Sequence, residues 1–220
     1  MILNLDVGRL PLPDNSIDMI FTDPPYAKAL IHTYEWLANE AARVLRPGAF
    51  IAAMCGGIGL NKIMRWFDDA GLSYYFCYQI QMTGKETGIV WMNGNPNIPI
   101  ATRLKHIVIY SKGSALARTA TINPYVLTGA DKRWHHWGQC VDSHRYWIDC
   151  FSKTGDLVLD PMCGGGTTGV ACSILGRQYI LGDIDRDAVA TTKYRLNGGG
   201  ESLSEFPLFE DLVFPTEMGE

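Results

Sequence analysis

The segment 22–26 reads Thr-Asp-Pro-Pro-Tyr, and its residue types could carry out chemistry on an amine. It follows the apolar run 17–21, which is typical of a buried strand. Proline lacks an N–H and has a fixed φ, so the backbone at Pro24 and Pro25 cannot continue a sheet ladder or begin a regular helix. We therefore expect the Pro24 carbonyl and the Asp23 carboxylate to face a cleft, where they offer two acceptors to an exocyclic –NH2.

The Tyr26 ring can stack on the base that carries this amine. A nucleobase amine is a poor nucleophile because its lone pair is conjugated into the ring. Two acceptors favour a pyramidal nitrogen and stabilise the positive charge that grows as the nitrogen attacks an electrophile. The segment therefore indicates alkylation of a base, and a proline-rich turn without chemistry is the alternative.

A second motif lies in the C-terminal half of the chain. Residues 157–161 read as a strand, 162–168 (MCGGGTT) as a glycine-rich turn, and a helix and a second strand ending at Asp183 follow. The glycines let the backbone approach a ligand closely, and an acid at the end of the next strand can bind a ribose diol. Asp160 precedes the turn, and a carboxylate there suits a cationic amino group better than a pyrophosphate. A dinucleotide oxidoreductase is disfavoured, because it would not need segment 22–26.

The elements that position these motifs alternate between strand and helix, which predicts an α/β fold with parallel crossovers. We predict strands over 1–5, 17–21, 49–54, 72–81, 103–111, 157–161 and 179–182, and helices over 32–45, 61–69, 141–151, 169–175 and 188–196.

Composition narrows the class of protein. The 220 residues are 47% hydrophobic and include no apolar run of 18 or more, so we expect a soluble, cytoplasmic protein without a membrane span. The six cysteines form no CxxC pair, which predicts reduced, buried thiols and no metal site. The net charge of −4 argues mildly against a nucleic-acid partner, although a basic cleft can lie on an acidic body.

Two connecting segments are unusual in composition. Residues 82–100 are rich in Gly, Asn and Pro and are predicted to form a loop at the mouth of the cleft. Residues 112–138 mix basic and aromatic side chains, which predicts either a solvated surface loop or a nucleic-acid contact. The candidate contacts are Lys112, Arg118, Lys132 and Arg133.

Together the two motifs resemble those of the bacterial and phage DNA methyltransferases that make N6-methyladenine or N4-methylcytosine. The target motif of that family, D/N/S-P-P-Y/F, corresponds to residues 23–26, and its cofactor motif, D-P-F-x-G-S-G-T-T, to residues 160–168. The target motif comes first, as in the permuted β group of the family. The resemblance covers residues 1–197.

The resemblance implies a Rossmann-like class I S-adenosylmethionine-dependent methyltransferase sheet, seven-stranded and mostly parallel. Residues 1–197 would form the methyltransferase domain, with a target-base half (1–81), a short recognition insertion (about 82–137) and a cofactor half (138–197). Residues 198–220 would form an acidic C-terminal tail.

The resemblance also implies the site and the mechanism. Asp23, Pro24, Pro25 and Tyr26 would act on a base flipped out of double-stranded DNA, by direct methyl transfer without a covalent enzyme intermediate or a metal, and proton loss would follow attack. The residues implied to bind S-adenosylmethionine are Asp6, Asp160, Pro161, Met162, Cys163, Gly164, Gly166, Thr167, Thr168, Asp183 and Asp185.

Two features depart from the family pattern. Where the family has T-Q/E-K-P, this chain has Gly138-Gln139-Cys140-Val141. The recognition insertion is also short, which predicts a short recognition sequence, a homodimer or a partner protein. Asp23 as the first motif residue resembles the adenine enzymes. A cytosine-N4 enzyme, an RNA-directed enzyme and a methyltransferase-like binding module are the alternatives.

Overall fold

The computed structural model describes residues 1–5, 8, 10–57, 59–82, 104–117, 126–128, 131–136 and 138–199. The predictions made for Asp6, Arg118, the loop after residue 82 and the tail from residue 200 lie outside these residues.

The described residues form eight strands, five α-helices and one short 3-10 helix (Lys28–Leu30). The strands are β1 (Ile2–Asn4), β2 (Ile17–Thr22), β3 (Leu45–Cys55), β4 (Ser73–Met82), β5 (Leu104–Ser111), β6 (Val126–Thr128), β7 (Leu157–Asp160) and β8 (Gln178–Asp183). The helices are α1 (Thr33–Val44), α2 (Leu60–Asp69), α3 (Val141–Phe151), α4 (Thr167–Ile174) and α5 (Arg186–Leu196).

These strands form one mixed sheet in the order β1-β8-β7-β2-β3-β5-β4-β6. All neighbours are parallel except β5, which lies antiparallel between β3 and β4. The predicted, mostly parallel sheet is therefore confirmed, and the three-residue β6 adds an edge strand that the sequence did not predict. One boundary was wrong: β3 begins at Leu45, directly after α1, and the break expected at residues 46–48 becomes an irregularity within the strand.

Two apolar layers cover the sheet. On one face, Tyr34 and Leu37 of α1 and Phe67 of α2 pack with Ile20 of β2. On the other face, side chains of α3 and α4 pack with Phe21. Successive residues of β2 thus face opposite layers, because side chains alternate along a strand. The result is a three-layer α/β/α arrangement.

The parallel register brings the two sequence motifs to the same edge of the sheet. β2 pairs with β7 (Ile20 opposite Leu159), and β7 pairs with β8 (Asp160 opposite Leu181). The carboxyl ends of these three strands therefore lie side by side, and ligands bind at this edge in open α/β sheets. None of the described helices is long and apolar enough to cross a membrane.

Candidate active site

The Asp23 carboxylate is held by one donor on each oxygen. Tyr26 donates its hydroxyl to Oδ1. Lys105, on β5, donates from Nζ to Oδ2 at 2.9 Å. The same ammonium lies 5.0 Å from the centroid of the Tyr26 ring, which is within range of a cation–π interaction. Three residues from two separate parts of the chain thus form one cluster at the end of β2.

The tyrosine of this cluster remains neutral. Burial, and then the nearby Asp23 carboxylate, raise the pKa of Tyr26 well above its usual value. A small cavity lies beside this ring, lined by residues that include Pro25, Ile31 and Tyr34. Among the described residues, no donor bonds to the Pro24 carbonyl, so this oxygen can accept from a ligand. The cluster therefore offers acceptors and a neutral aromatic ring, and the role predicted for segment 22–26 stays a prediction.

Sequence analysis missed Lys105. The sequence feature that could have identified it is a lysine within a predicted strand whose central residues, Ile107 to Tyr110, are apolar. A lysine there is expected to need a buried partner, because an unpaired buried charge is costly. The partner is Asp23, 82 positions earlier, and only the antiparallel insertion of β5 beside β3 brings the two together.

The glycine-rich turn is organised around Asp160, which is buried. Its Oδ1 accepts from the Thr22 hydroxyl at 2.8 Å and from the Met162 N–H at 3.1 Å. Its Oδ2 accepts from the Thr168 hydroxyl at 2.5 Å. Burial raises the pKa of Asp160 to about 7, although the bonds from Thr168, Thr22 and Met162 act in the opposite direction. Asp160 therefore fixes the turn and joins it to β2.

The glycine-rich turn is hydrogen-bonded to Asp183, the residue predicted to bind a ribose. Asp183, at the end of β8, accepts from the Gly164 N–H at 2.8 Å through Oδ2. Gly164 and Gly166 have φ values of +50° and +80°, which favour glycine. Arg195 of α5, a second residue that sequence analysis missed, donates to the Gly165 carbonyl at 2.9 Å. Contacts from Asp183 and Arg195 therefore hold the turn just before α4 begins.

Other predicted cofactor residues have structural partners. The Cys163 side chain is buried near Thr192, 3.9 Å from its hydroxyl, so it does not line a cleft. Asp185 caps the N-terminus of α5 by accepting from the Asp187 N–H at 2.8 Å, which explains its position without a ligand. The Thr167 hydroxyl accepts from Arg195 at 3.2 Å. Pro161 and Met162 lie in the turn itself, beside Asp160.

This edge suits a nucleoside ligand with an amino-acid group. The first N–H groups of α4 have no partner within the helix and can bind a carboxylate. Asp183 lies at the adjacent strand end, where an acid can bind a ribose.

On α3, His144 packs against Phe21 with ring centroids 4.9 Å apart. Burial lowers its pKa to about 4, so its ring is neutral.

The structure divides the predicted nucleic-acid contacts between two edges of the sheet. Lys112 follows β5 at the edge opposite the site, where its ammonium donates to Asn15 at 2.7 Å. Lys112 is therefore not brought together with Asp23. Lys132 and Arg133 are exposed and lie in the segment that packs against the glycine-rich turn through His135. Arg133 forms an ion pair of 2.7 Å with Asp131 in that segment.

Comparisons with known proteins agree with this geometry. Residues 135–194 match the family model for N6/N4 DNA methylases. The type II methyltransferase M.HpaI of Haemophilus parainfluenzae is 26% identical over 231 residues, which cover 88% of this chain and 73% of that protein. The chain is thus similar to DNA amino-methyltransferases of the N6/N4 class, through the family model around the glycine-rich turn and through this relative over most of its length.

Two solved structures show the same fold. The M1.HpyAVI–SAM complex matches with a TM-score of 0.67 and 23% identity, covering 83% of this chain and 89% of that chain. The cytosine-N4-specific PvuII DNA methyltransferase matches with a TM-score of 0.72 and 16% identity, covering 89% of this chain and 84% of that chain. The assignment to the permuted β group stays a prediction.

Proposed function

We propose that this chain is a DNA adenine-N6 methyltransferase that uses S-adenosylmethionine. The observation that carries the proposal is the adjacency of the two motifs at one edge of the sheet. The hydroxyl of Thr22, next to Asp23, donates to Asp160 at the start of the glycine-rich turn at 2.8 Å. A target amine at Asp23 and a cofactor at the turn would therefore face each other across two neighbouring strand ends.

Asp23 and Pro24 would receive the target amine. A carboxylate has about four lone-pair sites, and the bonds from Tyr26 and Lys105 use one site on each oxygen. The remaining sites, with the Pro24 carbonyl, can accept both N–H groups of the amine. These acceptors would stabilise the positive charge that develops on the nitrogen during attack. The neutral Tyr26 ring would stack on the extruded base.

The cofactor would bind across the ends of β7 and β8. Gly164 and Gly166 would line its amino-acid end, where the α4 N-terminus can bind a carboxylate. Asp183 would hold its ribose, and Asp160 would act mainly by fixing the turn. S-adenosylmethionine supplies an electrophilic methyl group on a sulfonium when it is bound.

Double-stranded DNA is the proposed substrate and partner. The exposed Lys132 and Arg133 lie beside the glycine-rich turn, where they could reach phosphates near an extruded base. A homodimer or a partner protein would complete the short recognition region.

Adenine is the proposed base because Asp23 is the first residue of the target motif, as in the adenine enzymes that the motif resembles. Cytosine-N4 methylation is the second candidate, since the fold also matches the cytosine-N4-specific PvuII enzyme with a TM-score of 0.72. Both reactions need the same amine geometry.

The test is incubation with isotope-labelled S-adenosylmethionine and unmethylated duplex DNA, followed by mass spectrometry of the digested nucleosides. We expect label in N6-methyladenine, and its loss in Asp23→Ala with cofactor binding retained. Asp69→Ala, at an exposed position at the end of α2, is the matched control and should keep wild-type activity. Label in N4-methylcytosine would overturn the choice of base, and absence of label on DNA with cofactor bound would overturn the proposal.

A further inference from the structure

We propose that Lys105 is a positioning residue, which holds the Asp23 carboxylate and the Tyr26 ring in the arrangement that receives the target base. This inference rests on the proposed function and adds a residue outside the target motif. Its basis is that one ammonium touches both functional groups, at 2.9 Å from Asp23 Oδ2 and 5.0 Å from the Tyr26 ring centroid.

The contact to Asp23 restrains the carboxylate. With Tyr26 on Oδ1 and Lys105 on Oδ2, rotation of the carboxylate would break at least one hydrogen bond. The lone pairs that remain free then point in fixed directions. A group held in its reactive geometry before the substrate binds loses less entropy during reaction, and this preorganisation lowers the barrier.

Burial makes this contact stronger than a surface ion pair. The side chains of Lys105 and Asp23 are only 6% and 19% exposed, so water screens their attraction weakly. A surface lysine would sample many rotamers, whereas this lysine is buried among packed side chains and its charge needs Asp23. The ammonium is therefore a fixed part of the cluster.

The backbone that carries Lys105 is part of the sheet. Lys105 lies within β5, which pairs with β3 on one side and with β4 on the other. Its neighbour His106 is opposite Cys55, the last residue of β3. A side chain on an inner strand is placed more accurately than one on a loop. Asp23 and Pro24 lie beyond the end of β2, outside the sheet ladder, so the contact from Lys105 ties Asp23 to an ordered strand.

An alternative role for Lys105, as a group that the target base must displace, predicts a different kinetic result. The ammonium could instead occupy the place of the target amine and be displaced when the base binds. Removing it would then ease base binding and raise kcat/KM for DNA. A positioning role predicts that kcat/KM for DNA falls, because loss of Lys105 frees the carboxylate to rotate and removes a contact that holds the Tyr26 ring.

The test compares Lys105→Met, which keeps the length of the side chain without the charge, with Lys105→Arg, which keeps the charge. We expect kcat for DNA methylation to fall about 10- to 100-fold in Lys105→Met, with the cofactor dissociation constant unchanged. Lys105→Arg should recover most of this loss. Lys153→Met is the matched control, because Lys153 is exposed before β7 at the opposite edge of the sheet.

Melting temperatures establish that the variants are folded. If Lys105→Met does not fold, Lys105→Gln replaces it, since its neutral side chain is one atom shorter and removes the charge on which both the ion pair and the cation–π contact depend. An unchanged kcat, or a raised kcat/KM for DNA, in the folded variant would overturn the positioning role. An inactive wild-type chain with bound cofactor and unmethylated DNA would instead contradict the proposed function.

Discussion

The Thr22 hydroxyl donates a hydrogen bond of 2.8 Å to Asp160 Oδ1, and it joins the two motifs across 138 positions of sequence. Thr22 immediately precedes Asp23, and Asp160 immediately precedes the glycine-rich turn. Both side chains are buried. The bond therefore links the candidate amine acceptors at the end of β2 to the turn at the end of β7, in addition to the pairing of the two strands. In-line methyl transfer depends on the separation between these two parts of the site.

The first prediction is that Thr22→Val slows methyl transfer. Valine has nearly the shape of threonine but lacks the donor, so the Asp160 carboxylate loses one of its three hydrogen bonds. We expect a loss of about 1–3 kcal/mol in the free energy of unfolding, because the acceptor is a buried carboxylate. We also expect kcat to fall about tenfold through misplacement of the two ligands. Urea denaturation and steady-state kinetics measure both quantities.

Thr22→Ser is the matched control for this prediction, since it keeps the hydroxyl and removes only a methyl group. It should restore kcat even if it loses some stability through lost packing. If kcat of the valine and serine variants were equal to that of wild type, the bond would be structural only, and the two motifs would be aligned by the sheet alone.

Much of the fold could be predicted from local sequence. Apolar periodicity gave the parallel strands of both halves and the helices between them, and α3 runs from Val141 to Phe151 as predicted. The boundary error at β3 came from Arg46-Pro47-Gly48, which has the composition of a turn. In the structure Leu45 pairs with Ile17 and Phe50 with Met19, so β3 continues on both sides of an irregularity in which Gly48 has a φ of +82°. The local signal therefore marks a bulge within the strand and not its start.

The site was predictable only where its residues are contiguous in sequence. Asp23, Tyr26 and the glycine-rich turn lie in short motifs with their own chemistry, so the residues could be named. Lys105 and Arg195 act through contacts that the sheet creates, and no spacing in the sequence signals them. Asp185 shows a second limit of sequence reasoning: an acid two residues after a strand can be a helix cap, and this one is, while its predicted contact with the cofactor stays a prediction.

The second prediction concerns the pH dependence of stability at Asp160. Its pKa in the folded chain is raised to about 7, above its usual value of 3.8, mainly by burial. The folded state therefore binds more protons than the unfolded state between these values. The contribution of Asp160 to stability is then fully present below the unfolded pKa and is lost as the pH rises through about 7.

Asp160→Asn isolates this effect, because the amide resembles the protonated carboxyl and the Thr168 hydroxyl can rotate to accept from it. We expect the melting temperature of wild type minus that of Asp160→Asn to decrease between pH 5 and about pH 8. The measurement is thermal unfolding of both proteins in matched buffers. A difference that is constant with pH, or that grows with pH, would show that Asp160 is ionised throughout this range.

The third prediction separates backbone strain from crowding in the glycine-rich turn. Gly166 has a φ of +80°, and an added Cβ would lie 2.9 Å from Thr192 Cγ2. Thr192 cannot easily move, because it is buried and its hydroxyl donates to the Gly164 carbonyl at 2.8 Å. Gly71 has the same φ of +80° but open space around its Cβ position, with no atom within 4 Å. Gly71→Ala therefore measures strain alone.

We expect Gly71→Ala to cost about 1–2 kcal/mol in the free energy of unfolding, which is the cost of a left-handed alanine. Gly166→Ala should cost about 1–3 kcal/mol more, because it adds a clash with a side chain that is held in place. Only Gly166→Ala should weaken S-adenosylmethionine binding, since the shift in Thr192 would move Gly164, whose N–H bonds to Asp183 at 2.8 Å. Equal stabilities of the two variants, with unchanged cofactor affinity in both, would mean that the turn adjusts without moving the ligand site.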